Sequence, residues 1–556
     1  MSLLQVGLAC SLLRESFGEL VEKVGTYLLH NGGVSLTDII GGTGITQNQV
    51  KKSLCVLIQH QLVTFKAHSK GSHMIYHMTI ASVLLMVRYP RCIHTGKVLF
   101  GDSGELIIED LLQQGQSLMS QCIQRVSERL EESLTNSGHE VSSVGKIVKQ
   151  QFIALVEGQF VQRVSPCNSE VDVAQNGAQE TGGIKTTTSE NKFVLPSNIE
   201  AIRYVEGRKR GREEDDAEEE PKAKKMKRSE EESKEEEPDA GIVWHLNFDR
   251  FHQYFRDQAI IQAVGERVDS TAACIMRTVL NIVSADTPTL LSQANSTEVY
   301  AHQVSERMPP KPKLSREEVE QYLKVLAEDE VRPTHTRITH ITQRPHTQTR
   351  LLSLSSIGGG GEYRVDYKRA SELLCQATIE AIVRERFGAK AHRIFRLLIT
   401  KKMLEQLQVA EMAMLPSKEA KEILYTLLAE SFVSLQEVPR TPDYAPSRTF
   451  YLFTVHLNKV ARLLLERCYQ TINNLCLKRT SECNDNKRLL DKYEVYERQS
   501  EAVGSSGDEL EELLTPDEKK RAESVRRSLN KLEHAELQVD ESVFIITNYL
   551  ATHTNL

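Results

Sequence analysis

Residues 391–455, AHRIFRLLITKKMLEQLQVAEMAMLPSKEAKEILYTLLAESFVSLQEVPRTPDYAPSRTFYLFTV, hold three short helical patterns and one hairpin pattern. Few small folds share that order. In the first pattern Ile394, Phe395, Leu397 and Leu398 recur at helical spacing, with Arg393, Arg396 and Lys402 on the opposite face, which makes an amphipathic helix. The second carries Leu407, Ala410 and Met414 on one side and ends before Pro416, because a residue preceding proline is pushed out of the helical region. The third opens at Pro416-Ser417 and lines up Ala420, Ile423, Leu424, Leu427 and Leu428. After Glu430 the apolar period changes to two: a run from Phe432 to Val438 and a return strand from Phe450 to Val455 flank Pro439, Pro442 and Pro446. Three helices and a two-stranded wing form a winged helix. The competing reading is a plain three-helix bundle followed by an unrelated hairpin, and repetition of the same order elsewhere disfavours it.

The first repetition lies at the start of the chain. Leu12, Leu13, Phe17, Leu20, Val21, Val24 and Leu28 share a helical face, Ser35 with Asp38 starts a short helix, and Thr46 with Gln49 reads as a capping box for a third. LVTFKAH and MIYHMT then alternate as strands. A second copy runs from Gly101 through GELIIEDLLQQG, SLMSQCIQRVSERLEESL and VSSVGKIVKQQFIALVEGQ to the strand FVQRV, with KFVLP at 192–196 as its expected return strand. A third starts near Gly241 with the helix NFDRFHQYFRDQAIIQAVGERV, continues through TAACIMRTVLNIV, and places SREEVEQYLKVLAED in the recognition-helix position. The outward residues Arg316, Glu317, Glu320 and Gln321 are not basic, which argues against this copy lying in a DNA groove. Trp244 reads as a packing residue.

At 556 residues the chain exceeds one hydrophobic core, and about three to five domains are expected. The domain reading is winged helix 1 at 1–88, winged helix 2 at 89–200 with a disordered wing insert, a charged disordered linker at 201–240, winged helix 3 at 241–370 with a low-complexity insert at 331–361, winged helix 4 at 371–455, and a coiled-coil hairpin with a C-terminal docking segment at 456–556. The fold class is mainly α with small β-hairpins. The linker RKRGREEDDAEEEPKAKKMKRSEEESKEEEPD alternates blocks of like charge. Within it Lys209 and Arg210, then Lys222, Lys224, Lys225, Lys227 and Arg228, have the spacing of a two-part nuclear import signal, or are plain solvated charge. The Thr/His run in 331–357 resembles a translated dinucleotide repeat and reads as disordered and dispensable. Its His335, His340 and His346 have no carboxylate or cysteine nearby, so they are not read as metal ligands.

Ten cysteines without a CxxC pair argue against a zinc ribbon or a disulfide framework, and no apolar run is long enough for a membrane span. The net charge of −7 gives no overall pull toward nucleic acid, so any contact must come from local patches. No phosphate loop, GxSxG elbow or HExxH stands in the chain, and no catalytic residue, cofactor or metal is expected. Repeated winged helices point to binding of nucleic acid or protein. The candidate contact residues are Lys51, Lys52, Lys66 and Lys70 of the first domain, set against a reading as ordinary surface lysines, and Arg440, Tyr444 and Arg448 at the proline-rich wing tip of the fourth. The latter offer cationic and stacking groups to single-stranded nucleic acid or an acidic protein surface.

The segments LVEKVGTYLL, VKKSLCVLIQHQLV, MVRYPRCI, NFDRFHQYFRDQAI, HRIFRLLITKK, PSKEAKEILYTLLAESFVSLQEVP and TPDYAPSRTFYLFTV resemble the family of third-largest (C) subunits of eukaryotic RNA polymerase III over nearly the full length. The resemblance implies four winged helices similar to those of general transcription factor IIE and a C-terminal antiparallel coiled-coil hairpin. It also implies a nuclear, non-catalytic subunit within a polymerase III-specific heterotrimer on the clamp. Such a subunit acts with initiation factors in promoter opening on tRNA and 5S rRNA genes, contacting DNA in single-stranded form and no membrane. The Thr/His run departs from the family pattern. A free-standing multi-winged-helix regulator binding duplex DNA is the alternative, and the acidic third recognition helix counts against it.

Overall fold

The structure, a computed structural model, describes residues 2–67, 73–136, 144–164, 190–195, 239, 241–286, 293–309, 314–327, 352–354, 362–440, 442, 449–502 and 515–553. The chain divides into two compact units, one of residues 13–250 with 499–505 and one of residues 1–12, 251–498 and 506–556.

The helix read as continuous from Ser11 to Asn31 is two, α1 (Leu3–Phe17) and α2 (Glu19–Asn31), of which α2 lies wholly in the first unit. Gly18 separates them at φ 85°, ψ 177°, a backbone region open essentially to glycine alone. α3 (Leu36–Thr43) follows strand β1 (Val34–Ser35), and the start signal expected of Ser35 with Asp38 takes the form of a capping box. At α4 (Gln47–Gln59) the Thr46 hydroxyl bonds the Gln49 side chain at 2.7 Å, with no side-chain cap on the backbone. β2 (Val63–Ala67) and β3 (Met74–Met78) complete an antiparallel sheet in the order β1-β3-β2.

After α5 (Ile80–Leu84), the second winged helix uses α6 (Tyr89–Gln114), β4 (Ser117–Leu118), α7 (Met119–Asn136), α8 (Val144–Glu157) and β5 (Val161–Arg163). Its return strand is not 192–196, since Glu190–Phe193 form a 3-10 turn. The returning strand is β6 (Val243–Leu246), which pairs with both β4 and β5. The reason is packing: Trp244 and Leu246 are buried and complete the core with Phe152 and Val161, whereas in KFVLP Val194 is exposed and Phe193 and Leu195 are only half-buried. Residues 201–240, read as an interdomain linker, therefore fall between two strands of one sheet. Its end is anchored too, since the fully buried Asp239 accepts a 2.7 Å hydrogen bond from the Ser120 amide at the start of α7.

The two winged helices of this unit meet around a cavity of about 20 Å³ lined by His60, Tyr89, Leu111, His245 and Phe248. Gln59 Nε2 donates to the Gln114 carbonyl at 2.8 Å beside it. Burial pushes His60 down, and it pushes His245 down to about 4, with the nearby Lys192 acting in the same direction. A histidine held neutral by the fold gives stability that is full above its unfolded value and is lost as pH falls toward the folded one. Between about pH 6.5 and about pH 4 this unit should lose up to about 3 kcal/mol through His245. His245→Gln should flatten that slope in tryptophan-monitored unfolding, and an unchanged slope would refute the assignment.

The second unit contains α9 (Phe248–Arg267) from Phe251 onward and two more winged helices. The third comprises α10 (Ser270–Asp286), β7 (Val299–Tyr300), α11 (Ala301–Arg307), α12 (Arg316–Ala327), β8 (Leu352–Leu354) and β9 (Glu362–Val365). Its sheet order is β7-β9-β8. β8 corrects the reading of 331–357 as dispensable, because Leu352 is fully buried and pairs with Val365. The rest of the Thr/His run lies outside the described residues.

The fourth comprises α13 (Tyr367–Lys401), β10 (Met403–Glu405), α14 (Gln406–Ala413), α15 (Ser417–Ala429), β11 (Ser434–Pro439) and β12 (Thr449–Thr454), in the order β10-β12-β11. α16 (Leu457–Asp485), α17 (Lys487–Ala502) and α18 (Pro516–His553) follow. α18 runs antiparallel to the two before it, as contacts Tyr549–Asn458, Cys476–Glu536 and Lys519–Tyr496 show. Thr515 and Glu518 close a reciprocal cap at its start. Its C-terminal end docks as the apolar VDESVFIITNYL predicts: Ile546 and Tyr549 join the core of the fourth winged helix, and the Phe544 ring meets Phe255 edge-on at 6.0 Å. Arg256 of α9, also buried, lies 3.8 Å over the Tyr367 ring.

Two local devices recur and explain the repeat. Phe17-Gly18, Phe100-Gly101 and Phe387-Gly388 each break an incoming helix at positive φ with ψ near 180°, just before the first helix of a winged helix. At the other end, Gln61, Gln159 and Ser431 take φ of 58°, 64° and 62° after the third helix. The amides of each such residue and its successor bond back to helix carbonyls, as in Ser431 to Leu428 and Phe432 to Leu427, a Schellman stop that turns the chain into the wing. Leu62, Phe160 and Phe432 then enter the cores. A methyl group at Gly388 would meet nothing within 4 Å, so Gly388→Ala should cost about 1–3 kcal/mol through backbone strain alone. Exchange protection of the fourth winged helix in the full chain checks this, and unaltered protection would refute it.

Candidate functional site

In a winged helix the third helix and the wing are the surfaces available for a ligand. The structure sets Lys51 and Lys52 on the exposed face of α4 and Lys66 on β2, paired across from Ile75 in β3. All three therefore belong to the third helix and wing of the first domain, as the sequence expects. Lys70 lies outside the described residues, as do Tyr444, Arg448 and the seven basic residues of the import signal, Lys209, Arg210, Lys222, Lys224, Lys225, Lys227 and Arg228. In the third domain Arg316 pairs with Glu320 at 3.7 Å on α12, and that helix face carries no net positive charge.

The fourth domain is different in chemistry. Arg440 follows the last β11–β12 pair, Pro439–Thr449, and its guanidinium sits 4.9 Å from the Phe450 ring centre. The arginine is thereby held at the wing tip by a cation–π contact. Val438 and Phe450 face each other across the register and are 42% and 40% exposed. In the same domain Met403, Leu407, Met412, Met414, Tyr425 and Tyr451 are also exposed.

The sequence does not show these exposed apolar residues, because Leu407 and Met414 share the helical face of Ala410 that reads as the inward side of α14. The structure turns that helix so that Val409, Ala410 and Ala413 are buried, leaving Leu407 60% and Met414 87% exposed. The signal that was available is the small-residue row Ala410 and Ala413, which lets α14 approach α15 closely. Exposed large apolar side chains such as the facing Val438 and Phe450 are the groups from which protein-contact surfaces are built.

Among the described residues no group of His, Cys, Asp and Glu is placed to hold a metal, and no helix is long and apolar enough to cross a membrane. The free cysteines are spread over both units, and burial pushes the Cys375 and Cys476 thiols up to about 12, away from the reactive thiolate form.

Four family models match the chain. They are the RNA polymerase III subunit RPC82 helix-turn-helix domain at residues 7–68, RNA polymerase III subunit RPC82 at 150–374, the POLR3C C-terminal winged-helix domain at 379–455, and the helical hairpin domain of DNA-directed RNA polymerase III subunit RPC3 at 488–545. Among curated proteins, DNA-directed RNA polymerase III subunit RPC3 of Bos taurus is 39% identical over 98% of both chains. Those of Homo sapiens and Danio rerio are each 38% identical over the same shares. With matches along each of its winged helices and its hairpin, the chain belongs to the family of DNA-directed RNA polymerase III subunit RPC3.

Proposed function

We propose that this chain is a non-catalytic subunit of nuclear RNA polymerase III, part of a polymerase III-specific heterotrimer on the clamp. In this reading it acts with initiation factors in transcription initiation and promoter opening on tRNA and 5S rRNA genes. Full-length similarity to polymerase III subunits is the observation that carries it. The chemistry of the surfaces supports a division of labour. The exposed apolar wing of the fourth winged helix suits another polymerase subunit. The cationic Lys51, Lys52 and Lys66 of the first suit phosphate, and Arg440, Tyr444 and Arg448 suit unpaired bases at an open promoter. Neither the reaction nor any cofactor would be supplied by this chain.

An affinity-tagged copy purified from nuclear extract should bring down the other polymerase III subunits. Elution as a free chain on duplex DNA would instead favour an independent regulator. For the wing tip, Arg440→Ala with Arg448→Ala should reduce promoter opening while leaving the polymerase assembled. Unchanged opening would remove the tip from the mechanism.

A further inference from the structure

Several cations of the α16–α18 hairpin, turned toward the seam or lying on the α16–α17 arm, have acidic or phenolic partners, while Lys459, Arg462, Lys487 and Arg488 of that arm form no ion pair among the described residues. Lys492 meets Glu518, Arg526 meets Glu497, Arg479 meets Glu536, and Lys519 donates to the Tyr496 hydroxyl at 3.1 Å. Lys478 and Arg498 form i,i+4 pairs with Glu482 and Glu494. On α18 a second row faces outward: Lys520, Ser524, Arg527, Lys531, His534 and Gln538, all exposed.

At about 100° per residue these six positions fall within a strip about 80° wide, on the side of α18 away from the buried Ala522 and Asp540. No carboxylate lies within the strip. Asp517, Glu523 and Glu541 border it, and Glu523 stands four residues before Arg527. Arg527 Nε donates to the Glu523 backbone carbonyl at 3.2 Å, not to its carboxylate. His534 and Gln538 bond each other at 3.1 Å. Among the described residues Lys520, Arg527 and Lys531 form no ion pair. Arg527 and Lys531 stand i,i+4, where like charges are mutually destabilising by a few tenths of a kcal/mol.

We infer that this strip is a binding surface for the phosphodiester backbone of nucleic acid, separate from the winged-helix contacts proposed above. Lysine, arginine, serine and amide side chains are the groups that contact phosphate. From Lys520 to His534 the row runs about 21 Å along a straight helix, a length that passes about six nucleotide rises of one strand. The contact is therefore independent of sequence and sensitive to salt.

The test is a titration of the purified full chain with a fluorescein-labelled DNA duplex, and separately with one of its strands, over a range of salt concentrations. Each phosphate contact contributes about 0.9 to the slope of log affinity against log salt for duplex and about 0.7 for a single strand. Replacing Lys520, Arg527 and Lys531 together by Gln should lower that slope by about 2 to 3, and whichever probe shows the loss identifies the strand form bound. Lys531→Gln alone should lower it by about one, which keeps the test valid if the triple variant misfolds by circular dichroism. The same triple change at Lys51, Lys52 and Lys66 separates this surface from the first winged helix. Unchanged slopes with both probes would overturn the inference. So would unchanged slopes accompanied by loss of co-purifying polymerase subunits, which would make the strip a face for an acidic protein. Because the titration uses the chain alone, its outcome is independent of whether the polymerase assignment holds.

Discussion

Trp244→Ala is expected to destabilise the second winged helix by about 3–5 kcal/mol, the range for removing a fully buried large aromatic side chain. Trp244 is the single tryptophan of the chain and has no solvent exposure. Its ring meets Phe152 edge-on at 5.8 Å, and the Arg163 guanidinium lies 5.4 Å from it. It also sits on the middle strand of the sheet, opposite Ser117 on one side and Arg163 on the other. Loss of the ring therefore leaves a cavity and loosens both strand pairs. The indole N–H has no hydrogen-bond partner among the described residues, so Trp244→Phe, which keeps a ring and removes an unsatisfied donor, should cost far less. Hydrogen exchange at 117–118, 161–163 and 243–246 reads the effect locally. By contrast, removing 208–236 should move stability little, because loop-closure entropy changes by about 0.6 kcal/mol per doubling of length. Equal loss of protection in that deletion and in Trp244→Ala would overturn this account.

Phe432→Ala should cost the fourth winged helix a comparable amount, about 3–5 kcal/mol. The side chain is fully buried and meets Phe387 and Phe395 edge-on at 5.3 and 6.4 Å. These two rings stand on either side of the Gly388 break, so Phe432 holds the two halves of α13 to the start of the wing. Arg467 of α16 lies 5.8 Å from the same ring and pairs with Glu430 at 3.0 Å, which Arg386 also contacts at 2.9 Å. The hairpin thus leans on the same residue. A multi-domain chain does not unfold in two states, so the measurement is local again: exchange protection of β10, β11 and β12 should fall, and that of β4, β5 and β6 should not. Retained protection of the fourth sheet would show that the cluster repacks without the ring.

Much of this architecture could be read from apolar periodicity, because each winged helix turns its helices and strands on short-range rules. The third helices α4 and α15, the strands of the first and fourth wings and the capped start of α18 all lie where spacing and caps put them. Lys51, Lys52 and Lys66 on the third helix and wing of the first domain were equally readable, since exposed lysines in a helical pattern need no tertiary information. Periodicity could not supply long-range pairing. Nothing local distinguishes KFVLP from VWHL as a return strand, and the choice rests on which of them fills the space over Phe152 once the helices are packed. The same limit hid Leu352, a buried strand residue beside a low-complexity run. It also hid the facing of α14, where small residues took the inside and left Leu407 and Met414 outside. Local hydrogen bonding and side-chain periodicity are written along the chain, but which of two apolar faces is buried depends on the volume left by elements distant in sequence.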